Sequence, residues 1–135
     1  MYKRQAVCDV NAKEARSCGE AHGCPYYSDL DRMLNEEKPD GICICTPHWY
    51  HPPIALRAFE AGVNVLTEKP LAVTVEDAER MIDAARAAGC ILGVVFQHRM
   101  DPVNVKAREI VSSGRIGEIH RTCLLYTSPS PRDRS

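Results

Sequence analysis

The stretch NVLTEKPLAV, residues 64–73, sets an apolar segment directly ahead of a glutamate, a lysine and a proline. Its first half has the character of a buried strand in a parallel sheet, where near-continuous apolar runs are typical. In α/β folds, ligands bind beyond the carboxyl ends of the strands. The stretch therefore predicts a β-strand that delivers Glu68, Lys69 and Pro70 to a ligand site.

The rest of the chain alternates short apolar runs with amphipathic stretches, the pattern of βα units that build a parallel sheet. Strands are predicted at 5–9, 41–47, 64–68, 90–97 and 115–121. Helices are predicted at 28–37, 51–62, 74–89 and 101–114. The fold class is therefore α/β.

Helix boundaries can be predicted from capping residues. Ser28 or Asp29 is expected to cap the helix at 28–37, and Thr74 the helix at 74–89. Within the latter helix, one apolar stripe is predicted to face the core, formed by Ala78, Met81, Ile82, Ala85 and Ala88.

Composition narrows the class of protein. The 135 residues are 44% hydrophobic and 26% charged, which is ordinary for a globular domain. The formal charge of −1 argues against nucleic acid or an anionic membrane as a partner and favours a small ligand. No apolar run is long enough to span a bilayer, and the start, MYKRQ, leads into no signal segment, so a cytoplasmic location without membrane attachment is expected.

Seven cysteines are many for this length, but their odd number argues against a disulfide framework. Reduced thiols that pack as small buried hydrophobes are expected instead. No C-x-x-C pair of the zinc-ribbon kind occurs, and His48 and His51 lack an evident third ligand, so no metal site is predicted.

Residues at three places in the chain carry possible chemistry. Asp9 ends the first predicted strand, where an acidic side chain can accept hydrogen bonds from a cofactor ribose, but it is equally suited to a turn or a helix cap. Thr46 and Pro47 close the second predicted strand, and His51 stands before a proline-led helix start, where helix capping or ligand hydrogen bonding is expected. Lys69, if held in a partly dry cleft, can exchange a proton with a substrate hydroxyl.

The order and spacing of these segments resemble one family. VCDVN at 7–11, GICICTPHWYH at 41–51, NVLTEKPLAVTVEDAERMIDAARAAG at 64–89 and SGRIGEIH at 113–120 are similar to the glucose-fructose oxidoreductase, inositol dehydrogenase and MocA family of NAD(P)-dependent oxidoreductases. The resemblance runs from about Ala6 to His120, and the E-K-P motif is its most specific marker.

The resemblance implies a Rossmann domain that binds NAD, with NADP possible, and a sugar or polyol substrate. Lys69 matches the lysine that assists proton transfer. Cofactor contacts are implied for Asp9, Thr46, Pro47, His51, Glu68, Lys69, Pro70, Gln97 and Arg99. The negative charge of Asp9 favours NAD over NADP, and the asparagine common after T-P is His48 here. A homo-oligomeric full-length parent is implied as well.

The chain also departs from the family pattern, because no G-x-G-x-x-G motif occurs in it. We therefore expect a partial Rossmann domain at 1–98 that lacks its first βα unit, with two exposed strand edges in its sheet. The start of a second α/β domain is expected at 99–121, and a non-native, disordered tail at 122–135. An incomplete copy of this kind should not turn over substrate alone.

Two other functions stay open at this point. The chain can be a non-catalytic short protein that pairs its strand edges with a full-length relative. It can also belong to an enzyme of the same family that eliminates or hydrolyses a glycosidic bond through a transiently oxidised sugar, with no net formation of NADH.

Overall fold

The computed structural model describes residues 6–120. Its strands are β1 (Val7–Cys8), β2 (Tyr26–Tyr27), β3 (Gly41–Ile44), β4 (Asn64–Thr67) and β5 (Leu92–Val94). Its helices are α1 (Ala12–His22), α2 (Leu30–Glu37), α3 (His51–Glu60), α4 (Val75–Ala88) and α5 (Pro102–Ser112). Short 3₁₀ turns occupy His48–Tyr50 and Gln97–Met100. The predicted tail at 122–135 lies outside the described residues.

The described residues separate into two compact units, the first ending at Phe96 and the second beginning at Gln97. The first unit is a parallel α/β structure, which confirms the predicted fold class. None of the helices in the part of the chain that the structure covers is both long and apolar enough to cross a membrane.

The strands of the first unit form two parallel sheets. β1 pairs with β2, and β4 pairs with β3 on one side and β5 on the other. Val65, for example, lies opposite Ile42 in β3 and opposite Leu92 in β5. Within the described residues no hydrogen-bonded pairing joins the two sheets.

The helices show how these sheets are ordered. The core brings together side chains of α2, α3 and α4 with Ile44 and Val65, whereas the buried Ala15 and Gly19 of α1 lie outside that cluster. We infer that α1 covers one face and the other three helices cover the opposite face. Since βαβ crossovers are right-handed, the strand order is then β2-β1, a gap, and β3-β4-β5. Within the described residues β1 and β3 each have one edge without a strand partner, and we infer that these are the two exposed edges expected from the sequence.

Helix capping follows the sequence closely. Asp29, and not Ser28, caps α2, because its side chain accepts a hydrogen bond from the backbone N–H of Arg32. The Thr74 side chain caps α4 in the same way by accepting from the N–H of Asp77. The N-terminus of each of these two helices therefore has a side chain that accepts a hydrogen bond from a free backbone N–H.

Three predictions about elements need correction. Ala88 is exposed, because the stripe of α4 buries only Met81 and Ala85 fully and its last turn lies beyond the core. Residues 115–120 form turn and coil instead of the predicted strand, since Gly117 adopts a φ of +72° and no strand of the described chain lies alongside. Arg121, the last residue of that prediction, lies outside the described residues.

The third correction concerns the cysteines. Cys8, Cys18, Cys43 and Cys45 are exposed, and only Cys24 and Cys90 are partly covered, so the expectation of buried thiols is wrong for most of the described cysteines. Cys43 and Cys45 alternate with the buried Ile44 along one extended segment, and therefore point away from the core.

Candidate active site

The end of β4 carries the glutamate, lysine and proline that the sequence singled out. Thr67 is fully buried, Glu68 is half-buried, and Lys69 and Pro70 are exposed. The backbone N–H of Glu68 donates to the Ile44 carbonyl at 2.9 Å, which ties this segment to the end of β3. The Lys69–Pro70 peptide bond is cis. The strand thus ends at Thr67, one residue before the end predicted from the sequence, and its lysine faces solvent.

His51 joins the two strand ends. The imidazole is fully buried, with Nε2 2.9 Å from the Thr46 carbonyl and Nδ1 2.9 Å from the Pro70 carbonyl. It therefore connects the segment after β3 with the segment after β4, and fixes the backbone on both sides of the site.

The two contacts of His51 limit what else it can do. Both partners are carbonyl oxygens, which only accept hydrogen bonds. A neutral imidazole has one N–H and can donate to one of them, whereas a doubly protonated ring donates to both. Since both ring nitrogens face backbone carbonyls, His51 acts as a positioning residue here.

His48 lies beside this residue, with its ring centroid 5.9 Å from that of His51 in an edge-to-face arrangement. Both nitrogens of His51 are occupied, so the two histidines do not share a ligand. Among residues 6–120, no group of three histidine, cysteine or acidic side chains is arranged to hold a metal ion.

Thr46 and Pro47 are exposed between β3 and α3. Pro47 precedes the 3₁₀ turn, and its carbonyl accepts from the N–H of Tyr50 at 2.9 Å. The chain then enters α3, whose first turn contains Pro52 and Pro53. Prolines suit this position because the first N–H groups of a helix have no intrahelical partner.

Asp9 follows β1 and is exposed. Its backbone N–H donates to the Tyr27 carbonyl at 3.1 Å, and its Oδ1 accepts from the N–H of Asn11 at 2.8 Å. The turn-forming role considered for Asp9 is thus present. Nearby, the pKa of the Cys8 thiol is raised by burial and by the negative charges of Asp29 and Asp9.

Gln97 and Arg99 belong to the second unit, where both are exposed in the 3₁₀ turn before α5. The His98 carbonyl in this turn accepts from the side-chain amide of Asn104 at 2.7 Å. The turn is thereby fixed to the start of α5.

One cavity escaped sequence reasoning. It has a volume of about 210 Å³, lies between α1, β2 and the start of α2, and contains none of the predicted site residues. At its margin the Tyr27 hydroxyl donates to Glu37 at 2.6 Å, and this bond raises the pKa of Tyr27 to about 12. Its lining residues are Ala12, Ala15, Tyr26, Tyr27, Ser28, Asp29 and Arg32. The only sequence signal for it is the Ser28-Asp29 pair, which had been assigned to helix capping.

Comparison with known proteins gives consistent matches. D-glucoside 3-dehydrogenase of Escherichia coli is 39% identical over 118 residues, which cover 87% of this chain and 34% of that protein. Myo-inositol 2-dehydrogenase of Thermotoga maritima is 28% identical, covering 93% of this chain and 38% of that protein. This chain thus spans about a third of the length of the curated relatives it matches.

Solved structures agree with these relatives. The WlbA dehydrogenase of Bordetella pertussis, in complex with NADH and UDP-GlcNAcA, superimposes with a TM-score of 0.83 at 32% identity, over 85% of this chain and 36% of that one. The profile of the GFO_IDH_MocA family, described as an oxidoreductase family with an NAD-binding Rossmann fold, matches residues 2–96. This chain therefore belongs to the GFO_IDH_MocA family of oxidoreductases.

Proposed function

We propose that this chain forms the cofactor-facing part of an NAD-dependent oxidoreductase that acts on a hydroxyl-bearing carbon of a sugar or cyclitol. The observation that carries the proposal is the buried His51, which ties the ends of β3 and β4 together and leaves Lys69 exposed beyond them. Carboxyl ends of neighbouring parallel strands are where α/β folds bind nucleotides.

The residues present fit both ends of a dinucleotide. Thr46, Pro47, Glu68 and Pro70 surround the strand ends at which a nicotinamide ribose would lie, and Asp9 ends β1 with a carboxylate that can accept from an adenosine ribose. The charge of Asp9 would repel a 2′-phosphate, which favours NAD over NADP. The sequence offers no glycine-rich phosphate loop, so these residues provide no site for the pyrophosphate.

NAD, when bound, supplies the acceptor for a hydride. Lys69 is then expected to contact the nicotinamide end of the cofactor and to take the proton of the hydroxyl group on the substrate carbon that loses the hydride. Glu68 is placed to hold the adjoining ribose, since its backbone is fixed by the Ile44 carbonyl. His51 holds the carbonyls on either side and keeps Lys69 in position.

Because Lys69 is exposed, catalysis by this lysine requires a further domain that covers it. Proton transfer by a lysine is most effective when water is excluded and the amine is held against its substrate. The described residues around Lys69 leave it in solvent. We propose that residues from 99 onward begin the substrate domain, with Gln97 and Arg99 at the junction, and that catalysis requires a covering domain of this kind.

Several related proposals rest on family membership. A sugar or polyol substrate is consistent with the D-glucoside and myo-inositol dehydrogenases named above. We propose a cytoplasmic location, which the unbonded thiols of all six described cysteines support. We also propose that a longer parent protein assembles as a homo-oligomer.

The direct test uses fragments of the cofactor on the full chain. Amide NMR spectra are recorded with nicotinamide mononucleotide and, separately, with adenosine. The proposal expects the first ligand to shift signals near Thr46 and Glu68, and the second to shift signals near Asp9. If neither ligand perturbs either region, the proposal fails.

Two variants sharpen this test. Lys69→Met should weaken the response to nicotinamide mononucleotide and leave the adenosine response intact, while Asp9→Asn should do the reverse. Lys106→Met is a matched control, since Lys106 is an exposed lysine of the second unit with an ion pair to Glu109. Equal effects of Lys69→Met and Lys106→Met on nicotinamide binding would contradict the assignment of Lys69.

A second function is favoured by the unpaired edges of β1 and β3. Free strand edges can pair with another chain, so a non-catalytic role through pairing with a full-length relative is the alternative. Mixing the chain with a full-length relative and measuring complex formation by light scattering distinguishes the two. A stable complex without fragment binding supports the alternative, and fragment binding without a complex supports the cofactor role.

A further inference from the structure

Two thiols lie together beside the candidate site. Cys43 lies within β3, and Cys45 follows its last residue. Their sulfur atoms are 3.6 Å apart, and both side chains are exposed. Residues two apart in an extended segment share a face, which explains the closeness of the two sulfurs.

This face of the sheet is open to solutes. Leu66 in β4, directly opposite Cys43, is 45% exposed although it is a large apolar residue. The buried Ile44 between the two cysteines points the opposite way, into the core. A small molecule can therefore reach both sulfurs without displacing the core.

We propose that Cys43 and Cys45 form a dithiol site that reacts with low-molecular-weight disulfides of the glutathione type and closes reversibly to an intramolecular disulfide. The two sulfurs must approach each other by about 1.5 Å to reach the usual bond length. The exposed Cys45 side chain can supply part of this movement by rotation about its Cα–Cβ bond, while the peptide group before it stays held by the hydrogen bond from the Glu68 N–H to the Ile44 carbonyl.

The reaction proceeds by two exchange steps. A cysteine thiol loses its proton, and the thiolate attacks one sulfur of the small disulfide; the S–S bond breaks, and the leaving thiolate takes up a proton and departs as one reduced thiol. The second cysteine thiolate then attacks the protein-bound sulfur of the mixed disulfide and releases the second reduced thiol. The two protein thiols lose two electrons and two protons, and one small disulfide is converted into two thiols.

The surroundings indicate which cysteine reacts first. Burial, the neighbouring Cys45 thiol and the charge of Glu68 all raise the pKa of Cys43. Cys43 lies within the hydrogen-bonded ladder, whereas Cys45 lies beyond its last pair and so has more room to attack; the raised pKa of Cys43, which makes its thiolate less abundant, points the same way. We therefore expect Cys45 to form the mixed disulfide and Cys43 to resolve it.

Formation of the disulfide between Cys43 and Cys45 would affect the candidate site through the backbone. Thr46 follows Cys45 directly, and its carbonyl is one of the two partners of the His51 ring. Turning Cys45 toward Cys43 rotates the peptide group that it shares with Thr46, and the Thr46 backbone, which carries this carbonyl, must adjust in response. The disulfide is therefore expected to alter the contact between Thr46 and His51, and so to connect the thiol state with the backbone that holds the E-K-P segment.

The sequence allows a clean measurement. Trypsin cuts after Arg32 and Arg57 but not between Lys38 and Pro39, so residues 33–57 form one peptide with Cys43 and Cys45 as its only cysteines. Residues 17–32 form a matched control peptide with Cys18 and Cys24 as its only cysteines. The reduced full chain is exposed to oxidised glutathione, quenched in acid, alkylated, digested and weighed by mass spectrometry.

The expected product is peptide 33–57 lighter by two hydrogen atoms and unalkylated, while peptide 17–32 carries glutathione or the alkylating agent. Cys43→Ser and Cys45→Ser should each abolish closure, with a glutathione adduct accumulating on the cysteine that is left. Glutathione adducts on both cysteines of peptide 33–57, without the closed form, would overturn the proposal.

Two further measurements test whether closure depends on the folded structure or only on the two cysteines being close in sequence. The same reaction in denaturant should close roughly tenfold more slowly, because the native strand holds the sulfurs together, and equal rates in the two states would also overturn the proposal. NMR of the closed form should show a shifted His51 ring signal, with that of the exposed His22 unchanged. Circular dichroism of both serine variants confirms that they fold.

Discussion

His51 Nδ1 lies 2.9 Å from the carbonyl oxygen of Pro70, 19 residues further along the chain, while its Nε2 meets Thr46 at the same distance. One side chain thus connects the segments that follow two neighbouring strands. Its position is enforced by complete burial at the start of α3.

Replacing His51 should destabilise the first unit strongly. His51→Ala leaves a cavity and removes the ring that bridges two backbone carbonyls and donates to at least one of them, which should lower the free energy of unfolding by about 2–4 kcal/mol. Urea denaturation followed by circular dichroism measures this. The exposed His22 gives the control, since His22→Ala should change stability by less than about 0.5 kcal/mol. Comparable losses for both variants would show that the His51 bridge contributes nothing.

Met81 anchors α4 in the core. It is fully buried, so Met81→Ala should lower the free energy of unfolding by about 2–5 kcal/mol through lost burial and a residual cavity. Val75→Ala on the same helix is the matched control, because Val75 is 68% exposed and should change stability by less than about 0.5 kcal/mol. A loss at Met81 as small as that at Val75 would contradict the assigned packing of α4.

Gly19 allows α1 to approach β2 closely. A Cβ at this position would lie 2.8 Å from two atoms of the Tyr26 side chain and 2.9 Å from the Cys24 carbonyl oxygen. Gly19→Ala should therefore destabilise the chain by about 1–3 kcal/mol, although alanine favours helix by about 1 kcal/mol. Ser17→Ala on an exposed position of α1 should be neutral or slightly stabilising in the same thermal melts. A stabilised Gly19→Ala variant would show that α1 and β2 are further apart.

Tyr27 should make stability fall in alkaline solution. Its hydrogen bond to Glu37 raises the pKa to about 12, from an ordinary value near 10. The unfolded chain loses this proton first, so the stability gained from the neutral phenol is complete below about pH 10 and is lost between about pH 10 and 12. Absorbance at alkaline pH should show one tyrosine that ionises late.

Two variants identify that tyrosine. Tyr27→Phe should remove the late ionisation altogether, and Glu37→Gln should move it to lower pH because the charged acceptor is gone. A late ionisation that persists in Tyr27→Phe would assign it to another tyrosine and refute the prediction.

Sequence reasoning succeeded where local chemistry determines structure. The caps at Asp29 and Thr74 and the strand ending at Thr67 depend on neighbouring residues only. β2 was missed because Tyr26–Tyr27 is too short to show a pattern, and it is a strand only through its pairing with β1. The exposure of Cys43 was missed because it depends on which sheet face the helices cover.

In the candidate site, too, features set by neighbouring residues could be predicted, and features set by contacts between distant segments could not. The position of Lys69 at a strand end could be predicted from a single motif. That both ring nitrogens of His51 face backbone carbonyls could not, because one of these carbonyls comes from a distant segment. The cavity next to Tyr27 was likewise invisible, since helix α1 forms one of its walls.

The gap between β1 and β3 has a consequence for how the first unit opens. No hydrogen-bond ladder crosses it in the described residues, so β1, α1 and β2 adhere to the remainder through apolar side chains and the hydrogen bond from the Tyr27 hydroxyl to Glu37. Such a βαβ segment can detach as one foldon without breaking any strand pair. Its amide protons should then exchange with deuterium at a common, faster rate than those of β4, whose strand neighbours flank it on both sides.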